Sequence, residues 1–542
     1  MKKYLNEIFA ELSDRLDYLK DVNLIFNIPN ISAHGDLSTN AAMLLTKKLK
    51  RNPKEIASEI IGNLKYDETK ISKIEIAGPG FINFHFTPSF VSEIVKEIIN
   101  EKENFGKSEK YSGKKAMVEF VSANPTGPLT VGHGRNAVYG DTVANLLEWI
   151  GYKVDREYYF NNAGRQMRVL GDSVRLRYLE QLGKEIEFPE DYYQGDYIKE
   201  IAKNLIDEFG DKLADEPAEG IFKETAEREI FKDINKTLSR IKIHFQNYFN
   251  ENSLYEDGKI IELLAYFKQK DLSYEKEGAV WLKLTELGNE QDKVIVKSTG
   301  EPTYRLPDIA YHKTKYERGY DLMIDIFGSD HNATYPDVLA GIKTLNLNPE
   351  KVKVLIHQFV TIMDKGAVVK MSTRKANFIT LDELIDEVGS DVVRYFFNMR
   401  SISSHLNFDI ELAKTQSDEN PVFYLQYAHA RISSIMKMVE KEGLKLSNEN
   451  LNLLATAEEQ SLLKKLHQFE EEILYDAENF ETHRITAYLE ELAALFHRFY
   501  TQCRIIGSEK NLAEARLALC IATQIIIKNG LKILGVDAPD RM

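Results

Sequence analysis

The chain has 542 residues, of which 43% are hydrophobic and 28% charged, a composition that excludes a disordered or fibrous protein. A single hydrophobic core rarely organises so long a chain, so we expect about three domains. The net charge of −14 argues against a protein that coats nucleic acid nonspecifically, because that affinity comes from neutralising phosphates with lysine and arginine. The only two cysteines, Cys503 and Cys520, cannot form a CxxC zinc site, and so low a count favours a reducing compartment.

The N-terminal segment MKKYLNEIFAELSDRLDYLK alternates charged and apolar residues at helical spacing and lacks the continuous apolar stretch of a signal peptide. We also expect no window to approach the ~20 apolar residues of a membrane span. The sequence therefore predicts a soluble, cytoplasmic protein without a membrane partner.

Three regions differ in pattern. Residues 1–110 combine short helices with a hairpin, IEIAGPGFINFHF, where alternation around Gly-Pro-Gly indicates paired strands. Residues 111–400 alternate strand-like and helical segments, which is typical of a parallel sheet with crossover helices, and the charged stretch 172–265 predicts a helical insertion. In residues 401–542 apolar side chains recur at helical spacing, which predicts a helical bundle. The fold class is thus multidomain, α/β followed by all-α.

The segment from Ala116 to Tyr152 predicts a buried strand, a turn at Asn-Pro-Thr-Gly-Pro and a helix that opens on Gly132 and His133. Glycine at such a junction lets a ligand approach the backbone, and the free N–H groups and dipole of the helix favour phosphate. A histidine there can donate to a phosphate oxygen as charge develops. The alternative is an ordinary strand-to-helix turn with a surface histidine.

The string ANPTGPLTVGHGRNA resembles the "HIGH" signature of class I aminoacyl-tRNA synthetases in its arginyl form. In that family the strand, turn and helix belong to a Rossmann-like domain that binds ATP. The resemblance implies that Gly132 lies against adenine and that His133 contacts the phosphates. Thr130 replaces the first histidine of the signature and keeps only a hydroxyl, so we expect a weaker or differently placed phosphate contact there.

The basic segment KMSTRKAN begins at Lys370 and suits a polyphosphate that gains charge as pyrophosphate leaves. A solvated charged loop is the alternative. The segment resembles the "KMSKS" loop of the same family, which implies that Lys370 meets the phosphates, with Met371 and Ser372 in the ATP site and Arg374 and Lys375 as helpers.

A site for arginine needs carboxylates for the planar guanidinium and an aromatic ring for its face. The candidates are Glu119, Asn124, Glu251, Tyr304 and Asp308; the alternative for each carboxylate is a surface or helix-capping group. Similarity to the arginyl enzymes implies Asp308 and Glu251 at the guanidinium, Tyr304 against the side chain, and Asn124 with Glu119 towards the α-amino group.

Two further segments resemble the same family. GSDHNATYP is similar to its GADH segment, which implies that Gly328, Asp330 and His331 line the adenosine side. AGPGFINF resembles part of its added N-terminal domain, which implies that Phe81 and Asn83 contact a D-loop base of tRNA. The C-terminal helices, ending in VDAPDRM, look like the family's anticodon-binding domain.

The resemblance implies that arginine is activated with ATP and transferred to tRNA(Arg) through an arginyl-adenylate. Mg²⁺ is expected with ATP, held mainly by phosphates and water, and no protein metal site is predicted. The family usually needs bound tRNA before it activates arginine, and a monomer is the default. The alternatives are a class I synthetase for glutamate or cysteine, a non-catalytic RNA-binding paralogue and an unrelated nucleotidyltransferase.

Overall fold

The computed structural model describes residues 1–29, 31, 34–329, 332, 334–369 and 379–542. Five of the predicted site residues lie outside this part of the chain: Asp330, His331, Lys370, Met371 and Ser372. The same holds for Arg374 and Lys375.

The N-terminal region packs helices against a three-stranded antiparallel sheet. Its elements are α1 (Lys2–Ser13), β1 (Leu37–Thr39), α2 (Ala41–Leu49), α3 (Pro53–Asn63), β2 (Ile71–Ala77), β3 (Phe81–Phe86), α4 (Pro88–Ser92) and α5 (Ile94–Glu101). Strand β3 lies between β1 and β2. The predicted hairpin is confirmed, since β2 and β3 pair with Ala77 opposite Phe81. Alternation along β3 places Ile82, Phe84 and Phe86 in the core.

The central region contains the parallel sheet that the sequence predicts. Its elements are β4 (Lys115–Glu119), α6 (Val131–Trp149), β5 (Lys153–Phe160), α7 (Gly164–Gln181), α8 (Asp196–Phe209), α9 (Lys223–Arg240), β6 (Asn247–Asn250), α10 (Asn252–Glu256), α11 (Lys259–Gln269), β7 (Ser273–Lys276), β8 (Ala279–Leu282), β9 (Lys293–Val296), α12 (Arg305–Glu317), β10 (Leu322–Gly328), α13 (Tyr335–Thr344), β11 (Val352–His357), β12 (Val360–Asp364), β13 (Ala367–Val368), α14 (Leu381–Val388), α15 (Ser390–Asn398), β14 (Leu406–Asp409) and α16 (Ile410–Lys414).

Five parallel strands form the main sheet in the order β11-β10-β4-β5-β6. The chain runs outward from β4 through β5 to β6 and later returns to the other side of β4 with β10. The strand order therefore reverses between β4 and β10, and in open α/β sheets ligands bind at the carboxyl ends of the strands at such a point.

The stretch 172–265 is only partly the helical insertion that the sequence predicts. Helices α8 and α9 confirm its helical character. However, β6 lies in the same stretch and pairs with β5 as the edge strand of the main sheet, so a purely helical insertion is wrong there. Two small sheets, β7-β8-β9 and β13-β12-β14, complete this region.

Helix α6 is the central helix of the molecule, and glycine lets its neighbours approach closely. A side chain added at Gly134 would lie 2.6 Å from Leu381, and one added at Gly140 would lie 2.3 Å from Phe120. Both glycines are therefore required by packing rather than by backbone conformation. This packing fixes the N-terminal end of α6 at the carboxyl edge of the sheet.

The C-terminal region is the predicted helical bundle. Its helices are α17 (Pro421–Lys441), α18 (Ala457–Leu466), α19 (Phe469–Asn479), α20 (Thr482–Gln502) and α21 (Lys510–Leu534). The expectation that no window resembles a membrane span is wrong by length and composition, because α21 is long and apolar enough to cross one. However, 78% of its apolar window is buried within the protein, and the core helix of a bundle meets the same criteria.

Candidate active site

A cleft of about 810 Å³ opens at the carboxyl ends of β4 and β10. Its walls come from the turn after β4, the first turn of α6, α12, β10 and α13. It brings together nine of the predicted site residues: Glu119, Asn124, Thr130, Gly132, His133, Glu251, Tyr304, Asp308 and Gly328. Residues that are distant in sequence thus line one cavity at the point where the strand order reverses.

Thr130 and His133 form the first turn of α6 as a reciprocal cap. The hydroxyl of Thr130 accepts a hydrogen bond from the backbone N–H of His133, and the N–H of Thr130 donates to Nδ1 of His133 at 3.2 Å. Burial, together with the nearby His357, lowers the pKa of His133 to about 4. At neutral pH the imidazole is therefore uncharged, and because Nδ1 accepts, its proton is on Nε2.

Two of the predicted ATP-site glycines, Gly132 and Gly328, line the cleft. At Gly132 an added Cβ would meet only the Thr130 hydroxyl, at 3.7 Å, which is an ordinary contact distance. Gly328 ends β10, opposite His357 of β11. The adenosine contacts predicted for both glycines stay predictions.

Helix α12 presents a stripe of functional side chains to the cleft and to the sheet beneath it. Tyr304 precedes its first turn, and Asp308, Tyr311, His312 and Lys315 follow at helical spacing on one face. Tyr304 is 46% exposed at the mouth, whereas Lys315 is fully buried. One helix therefore supplies both the opening and the floor of this side of the cleft.

One end of the cleft is acidic and aromatic. The hydroxyl of Tyr159 donates to Oε2 of Glu251 at 2.6 Å, and its ring packs 4.7 Å from that of Tyr311. Burial, together with the negative charges of Glu119 and Glu251, raises the pKa of Asp308 to about 8. A pocket whose neighbouring carboxylates repel one another when ionised is complementary to a cation such as a guanidinium.

The floor of the cleft holds a buried ion cluster that the sequence did not reveal. Glu119 is 3% exposed, and its Oε2 accepts from Nζ of Lys315 at 2.7 Å. The same ammonium donates to Asp325 at 2.6 Å, and Asp325 also lies 2.8 Å from Nε2 of His312. Burial raises the pKa of Glu119, and the ammonium of Lys315 opposes this. The i, i+4, i+7 spacing of Asp308, His312 and Lys315 was the available signal.

Asn124 joins the ends of neighbouring elements. Its Oδ1 accepts from the backbone N–H of Asn161 at 3.0 Å, and its Nδ2 donates to Gln166 at 2.9 Å. The amide therefore connects the turn after β4 to the residues after β5 and to the first turn of α7.

The residues after the second basic segment are attached to the first signature. The N–H of Leu381 donates to the carbonyl of Leu129 at 2.8 Å, and Thr380 forms a β-bridge with Thr130. Ile379 lines the cleft. The described chain next to KMSTRKAN is thus part of the same site.

The predicted tRNA contacts lie on β3, far from the cleft in sequence. Phe81 is 38% exposed, whereas Asn83 is 2% exposed. Nδ2 of Asn83 has no hydrogen-bond partner within residues 1–29, 31, 34–329, 332, 334–369 and 379–542. Their contact with an RNA base stays a prediction.

Comparison with known proteins matches the three regions. Residues 1–86 match the family described as "Arginyl tRNA synthetase N terminal domain", residues 94–398 the "tRNA synthetases class I (R), catalytic domain" and residues 425–542 the "DALR anticodon binding domain". The arginine–tRNA ligase of Desulfotalea psychrophila is 51% identical over 518 residues, covering 95% of this chain and 94% of that protein. That of Chlorobaculum parvum is 49% identical over 534 residues, covering 96% of each.

The structure of Thermus thermophilus arginyl-tRNA synthetase has the same fold, with a TM-score of 0.76 over 98% of this chain and 100% of that one, at 21% identity. The parallel sheet, the cleft and the matched catalytic domain define a class I tRNA synthetase, which uses ATP. Similarity over nearly the whole chain is more specific: the chain belongs to the arginyl-tRNA synthetase family. The resemblance seen in its two signatures is thereby confirmed.

Proposed function

We propose that the cleft between β4 and β10 binds arginine and ATP side by side and joins arginine to tRNA in two steps. The chain is a class I arginine–tRNA ligase. In the first step the arginine carboxylate attacks the α-phosphate of ATP, giving arginyl-adenylate and pyrophosphate. In the second, the terminal adenosine hydroxyl of tRNA attacks the acyl carbon and AMP leaves. The observation that carries this proposal is the convergence of Glu119, Glu251 and Asp308 on a cleft that also contains the first turn of α6.

Within the cleft, Asp308 and Glu251 take the guanidinium, because they form its acidic, aromatic-walled end. Tyr304 packs on the arginine side chain from the mouth. Glu119 and Asn124 lie towards the α-amino group. Such chemistry needs positioning and charge stabilisation rather than a covalent nucleophile.

ATP binding is assigned to the start of α6 and the end of β10. His133 donates from Nε2 to a phosphate oxygen as a neutral group, which follows from its low pKa. Thr130 acts mainly through His133, with which it forms the reciprocal cap of α6. The remaining assigned residues are Gly132, Gly328, Asp330, His331, Lys370, Met371 and Ser372, with Arg374 and Lys375 as helpers.

Mg²⁺ is proposed to enter with ATP, coordinated mostly by phosphates and water. Among residues 1–29, 31, 34–329, 332, 334–369 and 379–542, no group of three or more His, Cys, Asp or Glu side chains could hold a metal ion. No protein residue is therefore assigned to the metal, and no step depends on it.

The outer regions are assigned to tRNA. Residues 1–110 contact its elbow through Phe81 and Asn83, residues 111–400 carry the chemistry, and residues 401–542 bind the anticodon. The protein is proposed to work as a cytoplasmic monomer, without a membrane partner, and to activate arginine only with tRNA(Arg) bound.

The test is AMP formation by the purified protein with each amino acid, with and without tRNA(Arg). We expect turnover with arginine and tRNA together. His133→Ala should lower the rate about a hundredfold or more, because it removes a donor to developing charge, whereas His244→Ala, at an exposed position, should not. Equal rates for arginine and another amino acid, or full activity of His133→Ala with unchanged melting temperature, would overturn the proposal.

A further inference from the structure

Lys315 is a fully buried ammonium directly behind the cleft. It donates to Glu119 and Asp325, at 2.7 and 2.6 Å, and both of these carboxylates line the cavity. Its Nζ also lies 4.2 Å from the ring centroid of Tyr311. Burying an ammonium is costly unless it is paired, so the ion pairs stabilise the buried lysine and its two buried carboxylates together.

The hydrogen bonds around Glu119 fix the direction of its carboxylate. Lys315 occupies Oε2, and the hydroxyl of Ser122 donates to Oε1 at 3.2 Å. Ser122 lines the cleft, whereas Lys315 approaches from the interior on α12. The carboxylate is thus held from two sides and presented at the cavity surface.

Asp325 has a different environment although it shares the same lysine. Its second oxygen lies 2.8 Å from Nε2 of His312, whose Nδ1 is 2.7 Å from the backbone carbonyl of Asp308. Lys315 and His312 together satisfy Asp325, and this interaction anchors Lys315. A second N–H of the ammonium donates to Glu119.

We propose that Lys315 is a positioning residue for the α-amino group of arginine. Lys315 does not touch this group; instead, it holds the carboxylate of Glu119 in place at the floor of the cleft. This inference rests on the proposed placement of Glu119 at the α-amino end. It divides the acidic pocket in two. Glu119 and Asp325 carry an internal cation, whereas Asp308 and Glu251 receive their positive charge from the guanidinium of the substrate.

The test compares three ligands that differ at one group. L-arginine has both the amine and the carboxylate, agmatine keeps the amine without the carboxylate, and 5-guanidinopentanoate keeps the carboxylate without the amine. The KM for arginine and the inhibition constants of the two analogues are measured in aminoacylation for Lys315→Met and Glu119→Gln. We expect both variants to weaken arginine and agmatine about tenfold, since a charge-assisted hydrogen bond is lost, and to leave 5-guanidinopentanoate within about twofold.

The double variant Glu119→Gln/Lys315→Met should bind arginine no more weakly than Glu119→Gln alone, because Lys315 acts only through Glu119. If Lys315→Met weakens all three ligands equally while Glu119→Gln discriminates among them, Lys315 is merely structural and the inference fails, although the proposed function stands. If Glu119→Gln does not discriminate, the assignment of Glu119 to the α-amino group fails, and the inference fails with it.

Lys315→Met leaves two buried carboxylates facing each other, so it can fail to fold. Lys315→Met/Asp325→Asn removes one charge of each sign and avoids that repulsion. It should show the same selective loss for arginine and agmatine. Unselective or absent effects in this double variant would refute the role of Lys315.

Discussion

Two groups of buried or half-buried charged side chains lie beside α6, one at the cleft and one along the second half of the helix. The cleft cluster consists of Glu119, Glu251, Asp308, Asp325 and Lys315. The hub cluster consists of Asp141, Glu148, Arg156 and Arg394. The hub cluster has two acids and two bases, whereas the cleft cluster has four carboxylates and one lysine.

The geometry of the two clusters differs as much as their charge. In the hub, Arg394 donates to Asp141 at 2.6 Å and to the carbonyls of Leu534 and Ile241, at the ends of α21 and α9. Arg156 donates to the other oxygen of Asp141 at 2.9 Å. The hub cluster thus connects the central region to the C-terminal bundle, with every charge paired. In the cleft, burial and the neighbouring carboxylates raise the pKa of Asp308 to about 8, so that site is complete only with a cation from outside.

The largest expected effect is on the stability of the hub. Arg394→Met should lower the free energy of unfolding by about 3–5 kcal/mol, because two helix-terminal carbonyls lose their donor and the buried carboxylate of Asp141 keeps only Arg156. The loss is measured by chemical denaturation. Lys242→Met, which removes a 41% exposed cation from surface pairs with Asp391 and Asp537, is the control and should cost less than about 1 kcal/mol. If the two variants are equally stable, the hub does not have the structural role argued here.

Asp308→Asn, in the cleft, should impair the reaction with arginine without lowering the stability of the protein. We expect kcat/KM for arginine to fall about a hundredfold, since a charge-assisted contact to the guanidinium is lost. Stability should not fall. The folded-state pKa of about 8 exceeds the usual 3.8, so the folded form holds the proton longer and stability declines as pH rises between these values.

The asparagine variant escapes that decline, so its advantage in unfolding free energy over the unaltered protein should grow from about pH 4 to about pH 8. Denaturation at several pH values, together with kinetics, checks both parts. A variant that is destabilised at pH 8 would mean that Asp308 is a structural acid like Asp141.

The affinity for arginine should itself depend on pH. Asp308, facing Glu119 and Glu251, must lose a proton to pair with the guanidinium, so affinity rises with pH by up to about tenfold per unit below a pKa of about 8. His133 does not contribute in this range, because burial keeps its pKa near 4. The KM for arginine between pH 6.5 and 8.5 is the measurement, and Asp308→Asn should flatten it; an unaltered slope in that variant would assign the proton elsewhere.

Local sequence patterns were enough to predict much of this molecule. The strand ending at Glu119, the turn, and the helix opening at Gly132 follow from adjacent residues. The hairpin of β2 and β3 and the helices of the C-terminal region follow from their periodicity in the same way. These features depend on residues close together in the chain.

The charged partners could not be predicted, because they depend on contacts between distant residues. Glu119 and Lys315 are 196 residues apart, and Arg394 reaches Asp141 across 253. The edge strand β6 was missed because NYFN is short and lies between helices, where only pairing with β5 identifies it. The capping role of Thr130 was also missed, although threonine commonly occupies the position before a helix.

The smallest expected effect separates the rim of the hub from its centre. Glu148 accepts from Arg156 at 2.7 Å, but its side chain is 45% exposed and water can replace it as a partner. Arg156 keeps Asp141 and Asn145 when this bond is lost. Glu148→Gln should therefore lower the unfolding free energy by no more than about 1 kcal/mol, and added salt should shrink the difference. Asp141→Asn is the matched acid-to-amide change at a buried position, and it should cost several times more because two guanidinium groups lose their shared charge. Equal losses in the two variants would show that the charge balance of the hub, rather than the burial of its individual pairs, sets its stability.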